Sequence, residues 1–523
     1  MTCQNVFFNS MIKASDIVKK WGSLTISENK TIREYLTVEG MSLWDILAPS
    51  ITLFYLPNAL SKSNCSRSIG LVIVDLLKKI KYIINRKFYW ITQNMDSSDC
   101  ARWPSGEVVL FLAFSPYLAR DILLPVAEMI GDESEIKSVM LLDQNDNYFE
   151  NRNIFSHSIK RHKGKDVASD SRKFSKNAKK IFYELINNNF FKRICNGENA
   201  QLEKIMRLNV LNDCTIHLPG IIAAARHILT EHRPSIIVSI DVADPRTRVF
   251  TQMAKSMAIP TLQVQAGPIA QGCVEWRFLQ DDMVAIQEIS TREDLIFHGV
   301  PIEKIVVTGS PRYEGLVNAT PIDIINMRKR FNIPSENKVI VLASTYCLDA
   351  FGPEVVSTLW TMKCALFKAV EATSGVSLIV KPHPIENCSQ AQVYCAKMKS
   401  IYFALSNESI TDFTRACDVF LSFGSTATFE ALILEKTTAC LGFQGWDLGR
   451  PFLGSGAVIE LLSESDIIHL LSEVLKDGGF AMMNKTEIER RDFLNRMIGK
   501  GRHGATQRIL ELIKSMISPT TTF

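Results

Sequence analysis

The chain has no CxxC pair, although it carries twelve cysteines scattered singly from Cys3 to Cys440. That spacing excludes a zinc ribbon or a disulfide framework and predicts a reducing, cytosolic setting. No uncharged apolar run reaches the ~18 residues that a membrane-spanning helix requires. The N-terminus (MTCQNVFFNSMIKASDIVKKW) lacks the pattern of a signal peptide. A cytoplasmic protein is expected, soluble or held peripherally at the inner face of the plasma membrane. There is no excess of one charge either, since 59 basic residues face 55 acidic ones for a net +4. No GxxxxGK[ST] loop, GxGxxG fingerprint, HExxH pair or GxSxG elbow occurs, which weighs against ATPase, dehydrogenase, zincin and hydrolase chemistry.

What is present is a repeated alternation of apolar runs and amphipathic stretches. At 523 residues, two domains are expected rather than one. Residues 1–100 read as a helical extension, in which 66–89 mix Ile, Leu and Val with Lys78, Lys79, Lys81, Arg86 and Lys87. That stretch reads as a packed helix with a solvated basic side, and the alternative is contact with an anionic membrane surface. Runs of strand length at 107–114, 139–142, 235–241, 261–265, 283–286 and 305–308, with helices between them, predict parallel βαβ units in a first Rossmann-like half, 101–310. Residues 115–121 read as a loop and 122–130 as a helix. A basic segment at about 145–200 interrupts the rhythm and reads as a solvated, partly disordered or helical insertion, with binding of nucleic acid or an anionic acceptor as the sharper alternative. Runs at 338–344, 376–381, 401–405, 418–423 and 438–442 define a second half, 311–500. Residues 501–523 form a closing amphipathic helix and tail. The architecture expected is α/β, two Rossmann-like halves facing a cleft.

In such sheets ligands sit outside the carboxyl ends of the strands. Lys381-Pro382-His383-Pro384 follows one strand run, and Gly424-Ser425-Thr426 follows another and opens a helix that carries Glu430. The prolines fix the presentation of His383, and small residues at a helix start suit a phosphate. Glu430, four positions after Thr426, shares its face and suits ribose hydroxyls, a capping or interdomain salt bridge being the alternative. Gly309, Ser310 and Arg312 permit close backbone approach and pairing with phosphate, or else make a linker turn. Gln265 and Gly267 form a strand-end turn suited to a cleft floor. Asp121 and Asp244, with Asp241 beside the latter, are the candidate general bases, because acids at strand ends can deprotonate an acceptor hydroxyl.

These segments resemble GT-B-type glycosyltransferases of bacterial surface and capsule polysaccharides: KPHP-containing capsule transferases, sialyl- and polysialyltransferases, and CDP-glycerol glycerophosphotransferases. The resemblance covers roughly residues 235–475 and assigns nucleotide phosphate to His383-Pro384 and Ser425-Thr426. It implies a GT-B-like fold with a donor half at 311–500 and an acceptor half at 101–310. It further implies transfer of a sugar from a CMP- or UDP-linked donor to a glycan or lipid-linked glycan, without metal or cofactor and without nucleic acid as partner. The acidic segment that bacterial sialyltransferases carry before a glycine has no counterpart here. A second resemblance, of Asp241, Ile259-Pro260, Val264-Gln-Ala-Gly267 and Ile305-Val-Val-Thr-Gly309, is to UDP-N-acetylglucosamine 2-epimerases. That family has a glutamate where this chain has Gln265, and a glutamine cannot exchange the substrate proton. A non-catalytic nucleotide- or glycan-binding subunit is the remaining alternative.

Overall fold

The computed structural model describes residues 4–27, 29–56, 103–131, 135–143, 149, 154–162, 164–269, 272–317, 324–345, 353–383, 386–443, 446, 451–499 and 503–518. The basic stretch 66–89 and Pro384 lie outside them. The chain divides into two compact units. One is Ala14–Gln263, Phe278–Asp282 and Ile513–Phe523; the other is Met1–Lys13, Val264–Arg277 and Met283–Leu512.

Seven strands make one parallel sheet: β1 (Glu107–Ala113), β2 (Ile136–Leu142), β3 (Phe155–Ser158), β4 (Ile236–Ser239), β5 (Thr261–Val264), β6 (Met283–Ile286) and β7 (Ile305–Val307). Their order is β3-β2-β1-β4-β5-β6-β7. Six more make a second: β8 (Lys338–Ala343), β9 (Val376–Lys381), β10 (Ile401–Phe403), β11 (Val419–Ser422), β12 (Thr437–Leu441) and β13 (Ile459–Leu461), in the order β10-β9-β8-β11-β12-β13. Each order runs outward from the first strand and then reverses, at β1/β4 and at β8/β11, the doubly wound pattern. The expected α/β fold of two Rossmann-like halves is what the structure holds. The strands read as continuous apolar runs because both faces are covered. In β8, Ile340 and Leu342 pack into one buried cluster, and Val339, Val341 and Ala343 into another on the opposite face.

The helices that bear on function are α1 (Gln4–Gly22), α2 (Leu43–Ser50), α3 (Pro116–Gly131), α4 (Lys165–Asn187), α5 (Leu218–His232), α6 (Pro245–Ser256), α7 (Pro311–Val317), α8 (Pro353–Ala372), α9 (Ala427–Ile433) and α10 (Ala505–Ile517). The N-terminal extension is not purely helical. Between α1 and α2 lie two short antiparallel pairs, Thr25–Ser27 with Lys30–Thr31 and Thr37–Val38 with Met41–Ser42.

Two readings of the sequence are corrected. Residues 116–121 are not a loop: α3 begins at Pro116, a residue preset for the first helical turn, so Asp121 lies inside the helix. The basic segment carries a helix, as one reading of it had, but that helix is packed and not solvated all round. The segment's Phe155–Ser158 joins the sheet edge beside β2, and α4 buries Val167, Phe174, Ala178, Phe182, Leu185 and Ile186 on one stripe. Lysines occupy the opposite face and mask that stripe in a simple count of charge.

Candidate functional site

The reversal of strand order at β8/β11 assembles the first group of residues. Ala343 pairs in register with Lys381 on one side and with Ser422 on the other. Three loops therefore leave one edge of the sheet, with neighbouring strands ~4.8 Å apart: Ser344-Thr345, Pro382-His383 and Phe423 to Thr426. Glu386 ties two of them together. Its carboxylate accepts from the His383 backbone N–H at 3.0 Å, from Ser344 Oγ at 2.8 Å and from Lys363 Nζ at 2.7 Å. Lys363 and Glu386 are both nearly buried, and Lys363 also donates to Thr345 O at 2.8 Å. His383 is half-buried, and burial pushes its imidazole below the ordinary histidine value, with Glu386 opposing and Lys381 adding to the shift. At neutral pH it is an uncharged ring that can donate one hydrogen bond.

Lys381 does something else. Its side chain is buried and its ammonium donates to Pro382 O at 2.8 Å and Ser406 O at 3.1 Å, so it shapes the loop from beneath. Burial lowers its pKa. After β11, Gly424 takes φ +93°, a left-handed conformation that a Cβ would strain. Its N–H donates to Ser422 Oγ, which bonds Thr428 Oγ1 at 2.7 Å. Ser425 Oγ accepts from Ala427 N, whereas Thr426 makes no side-chain cap bond at the start of α9. Thr426 Oγ1 lies 3.5 Å from where a Cβ on Gly267 would stand, so the turn after β5 abuts this helix start. Gln265 braces that turn, with Nε2 donating to Gly267 O at 2.8 Å and Oε1 accepting from Gln287 N at 2.8 Å.

Glu430 and Arg312 were expected to meet ligand, and the structure brings them to each other. The guanidinium of Arg312 binds Glu430 Oε1, while Thr411 donates to Oε2 at 2.6 Å, and Glu430 is fully buried. Both carboxylate oxygens are thus occupied. Gly309 has φ +84° and donates to Ile286 O; Ser310 is buried, its carbonyl capping the first turn of α7. The linker turn is in fact the carboxyl end of β7 running into α7.

The reversal at β1/β4 holds the second group. Asp244 caps α6, accepting from Arg246 N at 2.7 Å, and forms an ion pair with Arg246 at 2.6 Å. So engaged, it also lines the cavity at this edge. Asp121, within α3, does not line the cavity at this edge. Asp241 does. Its Oδ1 accepts from the N–H groups of Ala243 and Asp244 at 3.0 and 3.2 Å. Burial, and then the Asp244 charge, raise its pKa above the ordinary carboxylate value. The cavity, about 380 Å³, is closed by residues that sequence reasoning missed: Phe54 and Tyr55 after α2, and Asp213 and His217 before α5. Tyr55 Oη donates a short bond to Asp213. The i, i+4 spacing of Asp213 and His217 was a faint signal; for Tyr55 there was none. Among the described residues no cluster of His, Cys, Asp or Glu could hold a metal ion, and no helix is long and apolar enough to cross a membrane.

Residues 155–438, more than half of the chain, match the family described as CDP-Glycerol:Poly(glycerophosphate) glycerophosphotransferase. Among solved structures, the chain is similar to the S. aureus MnaA–UDP co-structure at 13% identity and TM-score 0.52, covering 80% of this chain and 98% of that one. A putative UDP-N-acetylglucosamine 2-epimerase from Listeria monocytogenes gives 14% identity and TM-score 0.49, covering 80% and 98%. A glycosyltransferase from Rickettsia africae ESF-5 gives 12% identity and TM-score 0.48, covering 80% and 100%. At such identities the likeness is one of fold, the GT-B-like pair of Rossmann-like domains. No curated protein sequence matches the chain.

Proposed function

The chain belongs to the CDP-Glycerol:Poly(glycerophosphate) glycerophosphotransferase family, and on that premise we propose that it is a metal-independent GT-B-type transferase of surface polysaccharide biosynthesis. It moves a sugar from a nucleotide-activated donor to a hydroxyl of a glycan acceptor. The observation that carries this reading is the convergence of the His383 loop, Ser344 and Gly424-Ser425-Thr426 on one sheet edge at a strand-order reversal. That is where doubly wound sheets take nucleotides.

In this reading the donor's phosphate lies against Gly424-Ser425-Thr426, with the turn at Gly267 closing one side. His383 donates its N–H to the leaving phosphate oxygen as negative charge develops there. A neutral imidazole suits that task as a hydrogen-bond donor placed beforehand. Glu386, Lys363 and Lys381 hold the loop and do not touch ligand. Asp241 takes the proton of the acceptor hydroxyl. The hydroxyl oxygen then forms the new bond, the bond to the nucleotide phosphate breaks, and the proton remains on the carboxylate.

The family match favours a second donor, CDP-glycerol, with glycerol phosphate as the group moved. It calls for the same base, with attack at phosphorus instead of carbon and CMP as the group that leaves. Epimerase chemistry is disfavoured because Gln265 stands where an acid is required and its amide is spent on Gly267 and Gln287.

The test is a thermal-shift panel of CMP, CDP, UDP, GDP and dTDP against wild type, His383→Ala and Thr426→Val. One nucleotide stabilising wild type and neither variant supports the donor site and names its activating group. No shift with any nucleotide counts against the transferase. Turnover of the matching nucleotide sugar or CDP-glycerol, followed by phosphorus NMR, then decides which group moves.

A further inference from the structure

The cavity at the β1/β4 reversal has a chemistry of its own. Its one guanidinium, Arg246, is fully committed. It pairs with Asp244 at 2.6 Å and with Asp143 at 3.1 Å, and lies over the Phe114 ring at 4.8 Å. Among the described lining residues there is no other arginine and no lysine to meet an anion. The remaining polar lining is Asp241, Asp213, Tyr55, Ser50 and His217, which sits 3.9 Å from Asp213. Asp241 Oδ2 takes no hydrogen bond among the described residues, because both donors from its own loop go to Oδ1. Desolvation raises the pKa of Asp213 as well as that of Asp241, as befits carboxyls short of positive partners.

The walls are apolar, from Leu47, Leu218 and Ile221 to Phe54, a residue 45% exposed. A large aromatic left half in water beside an open carboxylate oxygen is an amphipathic surface. It matches a sugar ring, which has hydroxyl edges that donate to carboxylates and C–H faces that lie on apolar walls. A phosphate would meet the carboxylates of Asp213 and Asp241 with no lysine or uncommitted arginine among the described lining residues, and like charges repel.

We infer that this cavity is the acceptor subsite and that it takes an uncharged, hydroxyl-rich sugar ring, not a phosphate-bearing chain end. Asp241 Oδ2 receives a ring hydroxyl, and Phe54 carries the ring's C–H face. The inference rests on the transferase reading for the word acceptor, but the binding it describes needs neither donor nor turnover. It departs from what the family's name says of its members' acceptor, poly(glycerophosphate), which is a polyanion.

The experiment is saturation-transfer NMR on the full chain without nucleotide. The probes are methyl α-D-glucopyranoside, N-acetylglucosamine, N-acetylglucosamine 6-phosphate and sn-glycerol 3-phosphate. Saturation should reach the ring protons of the two neutral sugars and not the phosphorylated probes. Phe54→Ala and Asp241→Asn should each weaken neutral-sugar binding by about tenfold in Kd. Phe54 is exposed, so its removal leaves the fold intact, and asparagine keeps the Oδ1 acceptor for the loop. Equal or stronger transfer to the phosphorylated probes overturns the inference, as do silence from all four probes and neutral-sugar binding that both variants leave unchanged. Neutral-sugar binding together with a blank nucleotide panel keeps the subsite and removes the transferase. A nucleotide shift with a silent cavity does the reverse.

Discussion

A carboxylate buried with a guanidinium, as Glu430 is with Arg312, depends on its partner. Arg312→Ala leaves Glu430 buried and uncompensated, and should cost roughly 3–5 kcal/mol in urea unfolding. A weakened donor affinity at unchanged stability would instead return Glu430 to the ligand. Asp241 is the opposite kind of residue, partly engaged and with an oxygen to spare. Asp241→Asn should lower kcat by about 10²–10⁴-fold and leave the nucleotide-induced thermal shift unaltered. The pH dependence follows from its environment. A base acts only when deprotonated, so activity falls as pH drops through its pKa. Burial and Asp244 raise that pKa, so the acid limb of kcat/KM should lie above the ~3.9 of an ordinary aspartate. An acid limb at or below that value would move the base elsewhere. The sequence singles out His383 and Thr426 as candidates because prolines and a small-residue helix start mark them. Lys363, inside the apolar run of α8, is not singled out, since a lysine there reads as solvated until its partner is known.

At the scale of elements, the loop after β9 is held by groups from three places. Glu386 receives the His383 backbone, Ser344 from the end of β8 and Lys363 from α8. Glu386→Gln should therefore weaken nucleotide stabilisation although Glu386 touches no ligand. Because the change also leaves buried Lys363 without its carboxylate, the readout that separates positioning from folding is the nucleotide-induced shift taken from each protein's own unfolding midpoint. A second joint fastens β3 and its turn to α5 through histidines. His162 faces His157, His227 and His232 at ring-centroid separations of 6.3, 5.8 and 6.2 Å, and His232 stacks on Trp103 at 4.1 Å. Burial, then the neighbouring histidines, push His162 down to about 4. A histidine depressed in the folded state contributes stability that is present above its unfolded pKa of ~6.5 and lost as pH falls through the folded value. Wild type should lose roughly 2 kcal/mol of unfolding free energy from this group between pH 7 and pH 5, and His162→Leu should not. Equal losses in urea titrations of both proteins would exclude His162 as the source.

Over the whole molecule, two sheets share one strand order, and each reversal gathers a different chemistry. The edge at β8/β11 offers a neutral imidazole, hydroxyls and glycine backbone, whereas the edge at β1/β4 offers carboxylates over an apolar floor. A bound nucleotide should therefore slow amide hydrogen exchange in the loops after β8, β9 and β11 and leave the loop after β4 unchanged. Protection appearing first after β4 would reverse the assignment of the two edges. The C-terminal helix α10 belongs to the same architecture. Glu314 on α7 accepts from Gly504 and Thr506, and Arg508 donates to Thr308 O at 2.8 Å, which pins the helix to the end of β7.

The sequence by itself determined the class and the rhythm of this protein. Strands buried on both faces must be apolar throughout, so β1, β4, β8, β9 and β11 announce themselves as runs, and α10 announces itself by its spacing. It also marked His383, Ser425 and Thr426, because proline and small residues restrict the backbone locally. Tertiary structure alone decided which polar groups satisfy one another. Nothing local distinguishes Glu430 paired with Arg312 from a Glu430 open to ribose, or Asp244 spent on Arg246 from Asp241 left with a free oxygen. Those fates depend on neighbours as much as 118 positions away and on burial, which removes water as the competing partner.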